Sequence, residues 1–260
     1  MTSVPLVVAQ LTDCHLADEL GAALMGVVPD ATFAAVLSDL GTAHPTPEFV
    51  LATGELYQTA SDASYARLAE GLRGLDLPVH CLLGNHDDPA TMARALAGGA
   101  ITTDFAVDVD AWRIVLLDSH FPGSHAGRLG AEQLARFDAA LASARGRFAL
   151  VALHHPPVEI ASPWMDAMGQ LDAVDFFAVL ERHENVWMVI WGHIHQPFEE
   201  FGSGVRLLGT PSTSRQFRPK TETPVMNDEP PAWRRLLLYS DGSVGTQLHW
   251  VKGLAPVAEF

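Results

Sequence analysis

Trp187-Met188-Val189-Ile190-Trp191-Gly192-His193-Ile194-His195 is an apolar run of strand length that breaks at a glycine and delivers two histidines at alternate positions. In an extended segment His193 and His195 point to the same side. The pattern recurs upstream. The run 6–11 leads into Asp13-Cys14-His15, 79–83 into Gly84-Asn85-His86-Asp87, and 148–153 into His154-His155-Pro156-Pro157. Each run reads as a buried strand, and strand ends are where open α/β sheets place their chemistry. A single cluster carries little weight: an Asp-x-His pair arises by chance in loops, and His-His-Pro-Pro can be a proline-stiffened turn and nothing more. Four clusters, all following apolar strands, point to one site. One carboxylate, one amide oxygen and four imidazoles make a mixed N/O donor set suited to Zn, Mn, Fe or Co. Calcium prefers oxygen alone.

Between the clusters, 30–40, 61–72, 131–142 and 172–182 carry helical periodicity, with Ser61 as an N-cap and Phe137 in a core stripe beside Leu134 and Leu141. A short helix is expected at 89–96. Residues 49–52 read as a strand and 103–118 as two antiparallel strands. Further strands follow at 198–201, 205–208, 236–239 and 244–250, with Asp241-Gly242 as a hairpin turn. Strand–helix units first and mostly strands later predict an α/β fold of two mixed β-sheets packed face to face with helices outside. One domain spans 1–260, with no interior linker and no repeat. The proline-rich stretch 219–231, within 217–233, reads as a long loop and a candidate lid or dimer contact.

Sixteen Lys and Arg against 31 Asp and Glu leave a formal net charge of −15. That disfavours a nucleic-acid polymer as the main partner, because such affinity rests on Lys and Arg neutralising phosphates. A small anionic substrate must instead be drawn in by metal ions. The N-terminus enters a strand almost at once, with no signal-like segment or membrane-length apolar run, so the expectation is a cytoplasmic chain without a membrane partner. Cys14 and Cys81 fit neither a zinc knuckle nor a redox pair and are expected as reduced thiols. Cys14 should face away from the site, since its two neighbours face toward it.

The metal motifs, the Trp164-Met165-Asp166 stretch, the Gly209-Thr210-Pro211-Ser212-Thr213 turn with Gln216-Phe217, and the closing hairpin 239–250 together resemble the calcineurin-like metallophosphoesterases over 9–250. Within them the likeness is to bacterial class III 3',5'-cyclic-nucleotide phosphodiesterases and related glycerophosphodiesterases. The resemblance implies a four-layer α/β/β/α sandwich and two divalent or mixed-valence transition-metal ions (Mn, Fe, Zn or Co). Carried over position by position, Asp13, His15 and His195 hold one ion and Asn85, His154 and His193 the other. His154 is preferred to His155 because the family ligand lies two residues before the proline, here Pro156. His86 would sit over the substrate phosphate beside Asn85, either stabilising developing charge or protonating the leaving alkoxide. Two roles are open to Asp87, orienting His86 or capping the helix after Pro89. His120 is a candidate substrate contact, and Trp164, Met165 and Phe217 either wall the pocket or pack its rim. The implied activity is hydrolysis of a small phosphodiester by in-line attack of a metal-bound hydroxide, in a homodimer. The alternatives are a broad phosphomonoesterase or phosphotriesterase, or a metal-binding protein without turnover.

One position departs from the family pattern. Where the family has Gly-Asp, with the Asp bridging both metals, this chain has Gly54-Glu55. The extra methylene moves the carboxylate by about 1.5 Å, against an intermetal distance of about 3.5–4 Å. Three outcomes are open: a bridge with altered spacing, a site holding one metal weakly, or an inactive protein. That every other ligand is intact favours a functional site. Tyr57 and Gln58, in the same loop, are candidates to touch substrate or support Glu55.

Overall fold

In the computed structural model, which describes residues 4–58, 61–96, 98–144 and 146–254, strand and helix alternate through the first part of the chain. These elements are β1 Leu6–Leu11, α1 Pro29–Gly41, β2 Phe49–Thr53, α2 Asp62–Arg73, β3 Val79–Leu82, α3 Pro89–Ala95 and β4 Ile101–Thr102. A hairpin follows, β5 Ala106–Val109 and β6 Trp112–Leu116, and then α4 Gly130–Ser143, β7 Phe148–Ala152, α5 Pro163–Asp166, α6 Ala173–Leu180 and β8 Val186–Trp191. The remainder is β9 Phe198–Gly202, β10 Val205–Gly209, β11 Gln216–Phe217, β12 Met226–Asn227, β13 Ala232–Leu238 and β14 Val244–Trp250.

Two six-stranded sheets result, ordered β14-β13-β1-β2-β3-β4 and β5-β6-β7-β8-β10-β9. Both are mixed. β1 runs parallel to β2 and antiparallel to β13, while β6, β7, β8 and β10 run parallel to one another. The period of two along each strand explains the layering. Leu6 and Val8 of β1, Leu51 of β2, Leu150 of β7 and Met188 and Ile190 of β8 meet between the sheets. Their alternates face outward: Ala9, Leu11 and Val50 pack under α1 and α2 with Phe33 and Leu68, and Val151 and Val189 pack under α4 and α6 with Phe137 and Phe176. Strands buried on both faces read as continuous apolar runs. The product is the α/β/β/α sandwich expected from the sequence.

Local signals set the helix starts. Ser61 and Ser64 form a reciprocal capping box on α2. α3 has Pro89 in its first turn, and the Asp88 carboxylate accepts from the Thr91 N–H at 2.7 Å. The cap is therefore Asp88 and not Asp87. The stretch 217–233 is also not wholly loop: Phe217 and Met226 pair across β11 and β12, and Ala232 and Trp233 open β13. Trp233 is fully buried and donates to the Asp39 carboxylate at 2.7 Å. Pro230 and Pro231 break the apolar pattern just before it, which hides the true start of the strand. The short helix α5 carries no readable period and has no counterpart in the sequence reading. Among the described residues no helix is long and apolar enough to cross a membrane.

Candidate metal centre

The parallel strands of both sheets end at one edge, and the polar clusters lie just beyond them. Asp13 and His15 follow β1, Glu55 follows β2, Asn85 and His86 follow β3, His154 follows β7, and His193 and His195 follow β8. Five of these residues hold left-handed backbone: Asp13, His15, Glu55, His193 and His195, at φ of 55°, 48°, 49°, 67° and 47°. Such a conformation is rare outside glycine and costs about 1–3 kcal/mol per residue. It persists because the surroundings hold it. The Asp13 N–H donates to the Gly54 carbonyl and the His15 N–H to the Glu55 carbonyl, each at 3.0 Å, and the His193 N–H donates to both Asp13 oxygens at 3.0 and 3.1 Å. Beneath lies a buried polar network that joins the sheets: Gln10 donates to Thr53 and to the Trp191 carbonyl, Thr210 donates to Gln10, and Arg234 donates to Thr210. Ser212, from the late turn, donates to the Asp13 carbonyl at 2.7 Å.

Gly84 lets the segments close up. A Cβ there would stand 2.7 Å from Glu55 Cγ and 2.9 Å from His154 Nε2, nearer than carbon and nitrogen can pack.

Two groups of metal-capable side chains result, Asp13–His15–Glu55–His195 and His154–His155–His193. Glu55, a member of the first, also faces the second. Its Oε2 is 3.0 Å from His15 Nε2 and 3.5 Å from His195 Nε2, and its Oε1 is 3.7 Å from His154 Nε2 and 3.6 Å from His193 Nδ1. Burial alone would push the Glu55 carboxyl up, but the neighbouring His15, together with the His154 and His193 rings turned toward it, holds it well below the usual range, so it stays an anion. Burial likewise disfavours charge on His195, and the Asp13 and Glu55 carboxylates outweigh it, raising its pKa to about 10.

The rings are held in one tautomer. His154 Nδ1 donates to the Thr53 carbonyl at 2.8 Å, His195 Nδ1 to the Arg215 carbonyl at 2.7 Å, and His15 Nδ1 to the Gln58 amide oxygen at 3.0 Å. Each pairing fixes Nδ1 and turns Nε2 inward, the arrangement usual for histidines that ligate metal, with Nε2 of His15 and His195 3.0 Å apart. The inward atoms His154 Nε2, both ring nitrogens of His193 and Asn85 Oδ1 are buried without hydrogen-bond partners. Buried polar atoms are seldom left so. Inward imidazole nitrogens, an orphaned amide oxygen and a buried anion fit transition-metal ions, which would satisfy all of them together.

The remaining candidates divide. His86 reaches the centre: its Nδ1 donates to the Gln58 carbonyl at 3.1 Å, and its Nε2 lies 3.8 Å from Glu55. Asp87 takes neither role open to it in the sequence. Its Oδ2 accepts from the Gly84 N–H at 2.7 Å and the Leu56 N–H at 3.4 Å, pinning the two loops together, and burial raises its pKa to about 7. His120 is not among the residues lining the site cavity of about 130 Å³, whereas His125 is. Trp164, Met165 and Phe217 wall that cavity, together with Met25 and Met168, which no periodicity marked. His155 is buried with Nδ1 2.8 Å from the Ser119 hydroxyl, which also accepts the N–H groups of His154 and His155. Gln58 supports His15 and His86, while Tyr57 is fully buried away from the cavity. Cys14 and Cys81 are free and buried in the layer under α1 and α2.

A family model described as calcineurin-like phosphoesterase matches residues 6–197. A 3',5'-cyclic adenosine monophosphate phosphodiesterase, CpdA, of Pseudomonas aeruginosa is 37% identical over 245 residues, covering 94% of this chain and 90% of the relative. A 3',5'-cyclic-nucleotide phosphodiesterase of Nostoc is 33% identical over 254 residues, covering 98% and 96%. Among solved structures, a dimetal phosphatase from Danio rerio matches in fold with a TM-score of 0.66 at 14% identity, over 96% of this chain and all of that one.

Proposed function

The chain belongs to the calcineurin-like phosphoesterase family, and on that premise we propose that it hydrolyses 3',5'-cyclic nucleotides or similar small phosphodiesters with two bound transition-metal ions. Asp13, His15 and His195 would hold one ion and Asn85, His154 and His193 the other, with Glu55 within reach of both groups. The observation that carries this reading is the division of the Glu55 carboxylate, with Oε2 turned to His15 and His195 and Oε1 to His154 and His193. Ions bound there supply Lewis-acid charge for the phosphoryl oxygens and lower the pKa of bound water toward neutrality.

The chain's own residues do the rest. The carbonyls of Thr53 and Arg215 and the Gln58 amide hold protons on Nδ1, so that Nε2 of His154, His195 and His15 is the atom that would face a metal. His86 is partly exposed to the cavity, with Nδ1–H held by the Gln58 carbonyl and Nε2 free. Burial lowers its pKa, with the Glu55 charge opposing. An anionic phosphoryl group beside it favours the imidazolium, and that Nε2–H can pass to the departing ester oxygen. The relatives named as cyclic-nucleotide phosphodiesterases support the substrate class. Chelation followed by Mn reconstitution tests the reading with 3',5'-cyclic AMP. Turnover should vanish on chelation and return in proportion to metal up to two ions per chain. Turnover by the chelated protein would contradict it.

A further inference from the structure

The cavity beside the proposed metals has two unlike sides. Beside the ligating residues it is lined by an apolar wall of Met25, Trp164, Met165, Met168 and Phe217. It begins directly at a ligand: the Phe217 ring lies 4.8 Å from that of His195 at 34°, and Trp164 meets Phe217 edge-on at 4.9 Å and 81°. Met25, Trp164 and Met168 are only partly buried and pack with Phe217 in one cluster. The indole N–H of Trp164 is turned to the Thr221 hydroxyl at 3.3 Å, and the Lys220 N–H donates to Ser162 at 3.0 Å. The segment bearing Trp164 is thus tied to 218–221, and its ring has no donor to spare.

Ring faces and thioethers attract flat, polarisable groups and make almost no directional hydrogen bonds. Gln58 and His125 also line the cavity. The Gln58 amide oxygen accepts from His15, and His125 Nδ1 lies 3.4 Å from the Asn85 amide. We propose that this wall, centred on Trp164, is a platform that holds the nucleobase of the substrate by stacking without reading its hydrogen-bonding edge. The proposal rests on the phosphodiesterase reading above and deepens it. It makes the chain selective for nucleotide diesters over glycerol diesters, and nearly indifferent between adenine and guanine.

Mn-loaded wild-type protein, Trp164→Ala and Trp164→Phe are compared on 3',5'-cyclic AMP, 3',5'-cyclic GMP and glycerophosphoethanolamine. Trp164→Ala should lower the ratio of kcat/KM for cyclic AMP to that for glycerophosphoethanolamine by about 5- to 150-fold, the range expected for loss of one base–aromatic stack, mostly through KM. Trp164→Phe should recover most of the ratio, and the two purine nucleotides should move together. An equal loss on both diester classes, or a wild-type preference between the purines of more than about 100-fold, beyond what a pocket without hydrogen-bond reading achieves, would overturn the platform. Calorimetry with 5'-AMP and glycerol 3-phosphate gives a second readout that needs no turnover. Trp164→Ala should weaken 5'-AMP alone, and weakening of both or neither would overturn the proposal even if no diester were hydrolysed. Absence of all hydrolysis by wild type, with the calorimetric pattern intact, would instead refute the phosphodiesterase reading. Should Trp164→Ala fail to fold, Trp164→Leu keeps apolar bulk without a ring, and it must lose what Trp164→Phe retains.

Discussion

Glu55 reaches both halves of the centre from a left-handed backbone, and its carboxylate stays ionised although it is buried. Replacing it by Gln preserves shape and removes the charge. Glu55→Gln should therefore bind Mn at least about tenfold more weakly, read by metal titration, and lose turnover with it. His86 Nε2 lies 3.8 Å from the same carboxylate, at the oxygen that faces His154 and His193. If its Nε2–H goes to the leaving oxygen, His86→Ala should cost about 10²–10⁴ in kcat for alkoxide leaving groups and far less for nitrophenolate. Equal losses would leave only an electrostatic role. The His195 pKa of about 10 sets a pH dependence with a definite sign. In the metal-free chain His195 carries a proton at neutral pH, and binding must displace it, so Mn affinity should rise with pH up to about 10 and each loading event should release protons. Calorimetry in buffers of different ionisation enthalpy reads that release. Affinity independent of pH would remove His195 from the ligand set.

At the level of elements, the strand ends were readable because each apolar run stops at a polar cluster, and a run buried on both faces leaves a continuous signature in the chain. The helices under each sheet were readable by their period and, for α2, by its Ser61 cap. What stayed hidden is set by packing between distant segments. Asp87 and Asp88 are adjacent carboxylates, and only the approach of the Leu56 and Gly84 N–H groups decides which of them caps α3. Met25 and His125 reach the cavity from irregular loops, where no periodicity points to a face. Two supports are testable at this scale. Gly84→Ala places a methyl against Glu55 and His154, and overpacking of this kind costs about 1–3 kcal/mol, so the variant should melt lower and lose metal together. Ser212→Ala removes the donor to the Asp13 carbonyl and the acceptor of the Ser214 N–H. It should cost about 1–3 kcal/mol in chemical denaturation. An effect within error would show the late turn to be a bystander.

Over the whole molecule, the centre exists only because two sheets present their parallel ends to one edge, and the His193–Asp13 hydrogen bonds and the Gln10–Thr210–Arg234 network join the sheets there. Metal that binds this assembled edge and not the unfolded chain must stabilise the fold. At a free Mn concentration about 100 times the dissociation constant, each site adds about 2.7 kcal/mol, so thermal unfolding should shift upward with Mn and return on chelation. The family was legible in the polar clusters together with the late turn and closing hairpin, and the two-sheet architecture in the order of strand–helix units followed by strands. Whether Glu works in the place of the family's Asp was not legible, because one methylene decides it and only the assembled geometry shows where the two oxygens fall. The most direct measurement is hydrolysis of 3',5'-cyclic AMP by Mn-loaded wild-type protein beside Glu55→Asp, with bound metal counted in each. Turnover by the wild type with two ions per chain is the predicted result. Turnover and a second ion appearing only in the Asp variant would contradict it.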